Sequence, residues 1–496
     1  MKFLIEHGQV ETIKTDALVL GLFEDDSDFS PISKLNPKLR SKIKELFKLK
    51  DFSGEKGQTF IFHYDNSIKR VLLIGLGKKK EFDMETFRET ASNIARYFKG
   101  KNYEKYTFYL PKYENFDADK LVRVFVEISE ITLYTFDKFK SKKKEVEKKK
   151  KLETYSLFVA DHTKQLDSSA DDGIIVAEGN ILVRKLANMP SNELTPSEFS
   201  KIAASLAKEN KLKITVLDKK QIIKKGLNLI HAVSKGSKEE PKLVILEYKG
   251  SSLKDSIAIV GKGVTFDTGG INLKPSTGIN TMKYDMAGAA TVLASIVCAS
   301  KLKLKTNIIA YCPMVENMPS GEAYKPDDVF TAYNKKTVEI GNTDAEGRLI
   351  LADALSYAVE FKPKKVIDIA TLTGAALVAT GNEYCPIIGN NQELINDLRL
   401  AASKSGEKVW QLPLAKEYDE LLKSEIADIK NVSDIPGPGT ILGALFLKNF
   451  VNDIPWVHID IAGVGWSKID RKYYSIGPTG FGVRLLTQYL CDECSK

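Results

Sequence analysis

The octapeptide Asn342-Thr343-Asp344-Ala345-Glu346-Gly347-Arg348-Leu349 places two acids and an arginine at alternate positions just ahead of an apolar run. Carboxylates in such a setting are costly to bury unless they are paired or bound to a cation. Asn342 and Thr343 suit a helix start, and Leu349, Ile350, Leu351, Leu355, Ala358 and Val359 follow with helical spacing. The acids are thus expected at a loop-to-helix junction, where side chains and free backbone carbonyls can face a metal ion. The competing reading of the octapeptide alone is a solvated first turn whose acids complement the helix dipole.

A second stretch changes that balance. Val260-Gly261-Lys262-Gly263-Val264-Thr265-Phe266-Asp267-Thr268-Gly269-Gly270, with Lys274 and Asp285 beyond it, follows Ser256-Ile257-Ala258-Ile259-Val260, a short apolar run with the pattern of a buried strand. A lysine and an aspartate leaving a central strand among glycines, which let backbone approach closely, describe the edge of a site in an α/β domain.

Together the two stretches resemble the leucyl aminopeptidases, the M17 or cytosol aminopeptidase family. NTDAEGRL matches that family's signature, and GKGVTFDTGG with Lys274 and Asp285 matches its other metal-binding segment in order and spacing. Further matches run from about Gly173 to Arg484, among them Asn317-Met318-Pro319-Ser320-Gly321, Asp368-Ile369-Ala370-Thr371-Leu372-Thr373-Gly374 and Gly480-Phe481-Gly482-Val483-Arg484. The resemblance implies two divalent ions per subunit, zinc or manganese. One would be held by Asp267, Asp344 and Glu346, the other by Lys262, Asp267, Asp285 and Glu346. It further implies catalytic roles for Lys274 and Arg348, the arginine holding a bicarbonate as general base. A pocket for the first substrate side chain would be lined by Met282, Thr371 and Gly374, with Leu372 offering its carbonyl. Met282 reads equally well as a core gap-filler. The implied enzyme is a homohexamer that releases leucine-like N-terminal residues from peptides.

The residues are consistent with this chemistry. Two dications balance the charge of Asp267, Asp285, Asp344 and Glu346, which without cations would repel one another and take up protons. Lys262 can be a ligand only as a neutral amine, so nearby cations must lower its pKa. The carboxylates alone would also allow a two-metal phosphohydrolase. For Arg348 the alternative is an ion pair with Asp344 or Glu346. The five histidines, His7, His63, His162, His231 and His458, lie outside both stretches, which argues against HExxH chemistry. His458, in an apolar run, reads as a core residue. A GxSxG elbow is absent.

The elements that must position these residues come from the rest of the chain. Its 496 residues exceed one ordinary core, so two domains are expected, residues 1–165 and 166–496. Runs such as Ala17 to Leu22, Thr59 to His63 and Val71 to Ile74 read as strands, with helical spacing over Met84 to Phe98 and Leu121 to Leu133. A long helix from about Asp171 to Leu186 leads into a second alternation of strands (Ile214 to Leu217, Leu243 to Glu247, Ile257 to Val260, Asn307 to Tyr311, Val366 to Ile369, Val457 to Ile461) with helices. The expected class is α/β: a smaller N-terminal α/β domain and a larger C-terminal catalytic α/β/α domain with a mostly parallel sheet. Sites in such sheets gather at the carboxyl ends of strands.

Composition excludes other classes. With 43% hydrophobic and 28% charged residues and no apolar run of about 18, the chain is not membrane-spanning. Its N-terminus meets Glu6 and His7 too early for a signal peptide, so a cytoplasmic location is expected. Five cysteines do not suit a disulfide framework, and Cys491 with Cys494 reads as a frayed, reduced tail. The net charge of +8 draws on the run Lys138, Lys140, Lys142, Lys143, Lys144, Lys148, Lys149, Lys150 and Lys151. Interrupted by Glu145 and Glu147, it reads as a solvated face, and nucleic-acid binding is the weaker alternative. Gly75-Leu76-Gly77 lacks the third glycine of a dinucleotide fingerprint.

Overall fold

The computed structural model describes residues 1–25, 32, 35–65, 67–113, 116–141 and 151–495. Lys142, Lys143, Lys144, Lys148, Lys149 and Lys150 of the basic run lie outside the described residues. The chain divides into two compact units, Met1–Glu178 with Asp470–Ser475, and Gly179–Ile469 with Ile476–Lys496. The division falls inside the helix Lys164–Asn188 rather than at the expected 165/166. The reason is packing: Leu166, Ala170 and Ala177 belong to the core of the first unit, as do Tyr473 and Tyr474 from the far end of the chain.

The first unit holds a sheet of strands β1 (Lys2–Glu6), β2 (Ala17–Leu22), β3 (Thr59–His63), β4 (Arg70–Gly75), β5 (Lys105–Leu110) and β6 (Thr154–Val159) in the order β1-β6-β5-β2-β4-β3. All pairs are parallel except β3 with β4. Alternate residues feed two hydrophobic clusters on opposite faces, Ala17, Val19, Leu72 and Ile74 in one and Leu18, Leu20, Val71 and Leu73 in the other. Gly75 serves a close backbone approach, since a Cβ there would stand 1.9 Å from the Glu55 carbonyl oxygen. Its N–H donates to Gln58 O and its carbonyl accepts from Gly57 N, so the glycine-rich turn is occupied by its own chain.

The second unit holds β7 (Lys213–Leu217), β8 (Lys242–Lys249), β9 (Ser256–Gly261), β10 (Gly263–Asp267), β11 (Asn307–Asn317), β12 (Val329–Thr331), β13 (Thr337–Glu339), β14 (Lys365–Ala370), β15 (Cys385–Gly389), β16 (Val409–Gln411), β17 (Ile429–Lys430) and β18 (Trp456–Asp460). The main sheet runs β16-β15-β18-β14-β9-β11-β8-β7, with β10 beside the far half of β11. Its centre, β18-β14-β9-β11, is parallel, while β8 joins β11 and β15 joins β18 antiparallel. A short sheet, β12-β13-β17, lies apart from it.

The helix Glu346–Val359 is buried along its whole length, its Leu351 and Leu355 sharing one core with Tyr311 and Phe446. A helix enclosed on all sides needs no polar face, which is why its apolar residues exceed a single stripe. The C-terminal residues are not frayed: the helix Val483–Glu493 carries Cys491, and Glu493 pairs with Lys365 at 3.0 Å. All five cysteines are free. Among the described residues no helix is long and apolar enough to cross a membrane.

Candidate metal centre

Lys262 is the single residue between β9 and β10. Its N–H donates to Ile369 O on β14 and its carbonyl accepts from Ala289 N, so the backbone is gripped on both sides and the side chain is buried. β10 then ends at Asp267, level with Asn317 at the end of β11. Asp285 follows the short turn Met282–Tyr284. Asp344 and Glu346 precede and open the helix Glu346–Val359.

Tertiary structure therefore gathers residues from five segments. Oxygen atoms of Asp267, Asp344 and Glu346 lie within 4.8 Å of one another. Lys262 Nζ lies 2.8 Å from Asp285 Oδ2 and 2.8 Å from Glu346 Oε1, and donates to Thr371 O at 2.9 Å. Lys274 Nζ lies 2.9 Å from Asp267 Oδ2 and also bonds Asp344. Thr371 Oγ1 donates to Asp285 Oδ1 at 2.6 Å. Met282 opens the turn that ends at Asp285, Leu372 continues the loop after Thr371, and Gly374 opens the helix Gly374–Thr380.

Charge is the dominant feature of this cluster. Two ammonium groups face four carboxylates, and burial together with the surplus of negative charge raises the pKa values of Glu346, Asp285 and Asp344. Burial and Asp267 push Glu346 to about 8, against the pull of Lys262. Burial likewise pushes Asp285 to about 6 and raises Asp344. For Lys262 and Lys274 burial works downward, but the surrounding carboxylates outweigh it and hold both above the ordinary lysine value. Glu346 Oε2 is buried with no hydrogen-bond partner. A partnerless buried carboxylate oxygen inside an acidic cluster fits a cation, and hard oxygen donors with one amine suit divalent ions.

Arg348 forms no ion pair with Asp344 or Glu346. Its Nη1 donates to Asn431 O at 2.6 Å, its Nε has no partner, and burial lowers its pKa to about 10. A buried guanidinium with an open donor fits an anion.

The octapeptide does not cap its helix as expected. The N-cap is Ala345, without a side-chain bond, while Asn342 Oδ1 accepts from Asp344 N and bends the loop. Thr343 Oγ1 donates to Gly269 O and accepts from Asn272 N, locking the two motif stretches together. Thr268 is part of the same lock, its hydroxyl donating to Asn317 O.

Sequence reading missed the supports. Asn317 Nδ2 donates to Asp267 Oδ1 and to Thr343 O, Tyr324 OH donates to Thr343 O, and Asp460 accepts from Leu372 N and Thr373 Oγ1. Asn317 stands in a stretch that carries the resemblance, though nothing there marks its role, and Asp460 is signalled only by its position at the end of a strand. His458 is a buried strand residue whose Nδ1 lies 2.6 Å from Asp368 Oδ1.

Comparison with known proteins agrees across both units. Residues 181–487 match the catalytic domain of the cytosol aminopeptidase family and residues 19–143 its N-terminal domain. A probable cytosol aminopeptidase of Alkaliphilus oremlandii is 38% identical over 492 residues, 98% of each chain. One of Syntrophotalea carbinolica is 40% identical over 488 residues, 97% of this chain and 98% of its own. Among solved structures, the bottromycin maturation enzyme BotP in complex with Mn superposes with a TM-score of 0.86 at 30% identity, over 97% of this chain and 100% of that one. Acidic cluster, fold and relatives agree, and the chain belongs to the cytosol aminopeptidase family of metal-dependent hydrolases that remove N-terminal residues.

Proposed function

We propose that this aminopeptidase works with two divalent ions, zinc or manganese, and prefers leucine-like N-terminal residues. The observation that carries the reading is the convergence of Asp267, Asp344 and Glu346 within 4.8 Å, extended by Lys262 and Asp285. Asp267, Asp344 and Glu346 would hold one ion, and Lys262, Asp267, Asp285 and Glu346 the other. Such ions polarise the peptide carbonyl and make a water nucleophilic near neutral pH.

The chain's own groups account for the rest. Lys262, which pairs here with Asp285 and Glu346, would hold an ion only as the neutral amine, its proton given up to solvent, a state that two adjacent dications would favour. Lys274, paired here with Asp267 and Asp344, would supply an ammonium group to the oxyanion of the tetrahedral intermediate once those carboxylates serve as ligands. One such donor contributes about 3 to 4 kcal/mol. Arg348, with its open Nε, holds an anion, with bicarbonate as the proposed general base. Met282, Thr371 and Gly374 line the pocket for the first side chain and Leu372 contributes its carbonyl. Apolar pockets discriminate by about 1 to 3 kcal/mol per methylene, so specificity is broad. The protein is proposed to act on peptides in the cytoplasm as a homohexamer.

Metal analysis combined with rates on aminoacyl amides and phosphate esters tests this reading. Two ions per chain and fastest release from leucine amide are expected. Turnover of phosphate esters in preference to amides would replace it with a phosphohydrolase.

A further inference from the structure

Asn431 turns its side-chain amide and its backbone carbonyl on the segment that carries the acidic motif. It is fully buried, just after β17, whose pairing with β13 brings it beneath residues 341–345. Its own N–H donates to Glu339 O. Its Oδ1 accepts from Gly341 N at 2.8 Å and Asn342 N at 3.3 Å, and its Nδ2 donates to Asn342 O at 2.8 Å and Ala345 O at 3.4 Å. Its backbone carbonyl accepts from Arg348 Nη1. Among the described residues this carbonyl is the only hydrogen-bond acceptor of the Arg348 guanidinium.

A primary amide suits this place because it presents an acceptor to two N–H groups and donors to two carbonyls at once. Asn272 Oδ1 and the side chains of Asn317 and Tyr324 hold the middle of this loop at Thr343, and the Asn431 amide holds its two ends, Gly341 and Ala345. Arg348 in turn, buried and without a carboxylate partner, depends on one carbonyl for its direction.

We propose that Asn431 is a positioning residue for the reaction, holding the Asp344 loop with its side chain and aiming Arg348 with its carbonyl, so that metal ligand and anion-binding guanidinium share one frame. The proposal rests on the reading of Arg348 as catalytic given above. Its side-chain half can be tested apart from that reading, because the loop carries Asp344 whatever Arg348 does.

The test uses the full chain with Asn431→Ala and Asn431→Asp, each alone and combined with Arg348→Ala. Steady-state rates on leucine amide at saturating Mn2+ are read beside calorimetric titration of metal-stripped protein with Mn2+. Outer-sphere supports of metal sites typically change affinity or activity by about 10- to 100-fold, so Asn431→Ala is expected to lower kcat by that factor with KM nearly unchanged, and to weaken Mn2+ binding about tenfold. In the Arg348→Ala background the same substitution should lower kcat by less than about threefold, since residues acting through one another are not additive. Unchanged kcat and unchanged Mn2+ binding in Asn431→Ala overturn the proposal, and an undiminished loss in the Arg348→Ala background overturns its claim that Asn431 aims Arg348. Should Asn431→Ala fail to fold, Asn431→Asp decides on the same criteria, since it keeps the shape and acceptor and loses the donors to Asn342 and Ala345. An Arg348→Ala enzyme with unchanged kcat overturns the catalytic reading of Arg348. The hold on the Asp344 loop is then judged by the titration, where weaker binding upholds it and unchanged binding overturns it.

Discussion

Lys262 reaches Asp285 and Glu346 through the space left by the missing side chain of Gly347: a Cβ there would stand 2.4 Å from Lys262 Cε and 2.7 Å from its Nζ. The glycine of one motif is thus required by the lysine of the other. Gly347 lies in the first turn of a helix, where alanine would otherwise be favoured by about 1 kcal/mol. Gly347→Ala is expected to leave thermal stability near that of the parent while displacing Lys262, so that Mn2+ binds at least about tenfold more weakly, in the range typical of displaced site supports. Calorimetric titration of metal-stripped protein checks this, and wild-type affinity with wild-type turnover would refute the steric coupling.

Two substitutions separate the roles within the acidic cluster. Asp344→Ala removes a proposed ligand that is only half-buried, so the fold should persist while turnover falls about a thousandfold, the several kcal/mol that metal activation supplies. Lys262→Arg keeps the charge but cannot present a neutral amine. It should lose one ion per chain by metal analysis. Full metal content and rate in Lys262→Arg would remove Lys262 from the ligand set.

Recognition of chain ends follows from the charge of the site. A free α-amine offers both a lone pair and an anchor in a carboxylate-rich centre, and acetylation removes both. Misalignment forfeits much of a proximity contribution of about 7 to 11 kcal/mol. Leucine amide and leucyl peptides are expected to be cleaved and their N-acetyl forms left intact, read by release of free leucine. Comparable rates on the two would turn the assignment to an endopeptidase.

The pair Asp368 and His458 predicts a pH-dependent stability. Asp368 Oδ2 also accepts from Trp456 Nε1 at 2.6 Å, so one buried carboxylate serves two partners. Burial pushes the His458 imidazolium down, but Asp368 and Asp460 outweigh it and hold its pKa above the ordinary 6.5. A pKa raised on folding contributes stability that is complete below about pH 6.5 and is lost as pH rises through the folded value. Breaking one side of a buried pair costs about 3 to 5 kcal/mol. Asp368→Ala should therefore lower the unfolding midpoint most near pH 6 and less above pH 8. A deficit that grows with pH would contradict the assigned charge on His458.

What the sequence determined by itself is chemical and local. The acids, lysines and arginine of the two motifs, their order, and the strand and helix periods that place Lys262 and Asp267 beyond a buried strand are all legible in residues close in number. Periodicity reports which face of an element is buried, not which distant residue it meets. Tertiary structure alone decided that Asn317, Asn431 and Asp460 stand against the motif loops, because their bonds join segments that only sheet pairing brings together. It also decided that β8 and β15 run antiparallel to their neighbours β11 and β18, since a buried apolar strand reads alike in either direction. The return of Asp470–Ser475 to the first unit is of the same kind: Tyr473 and Tyr474 carry no mark of which core they will enter, and only the folded chain offers them one.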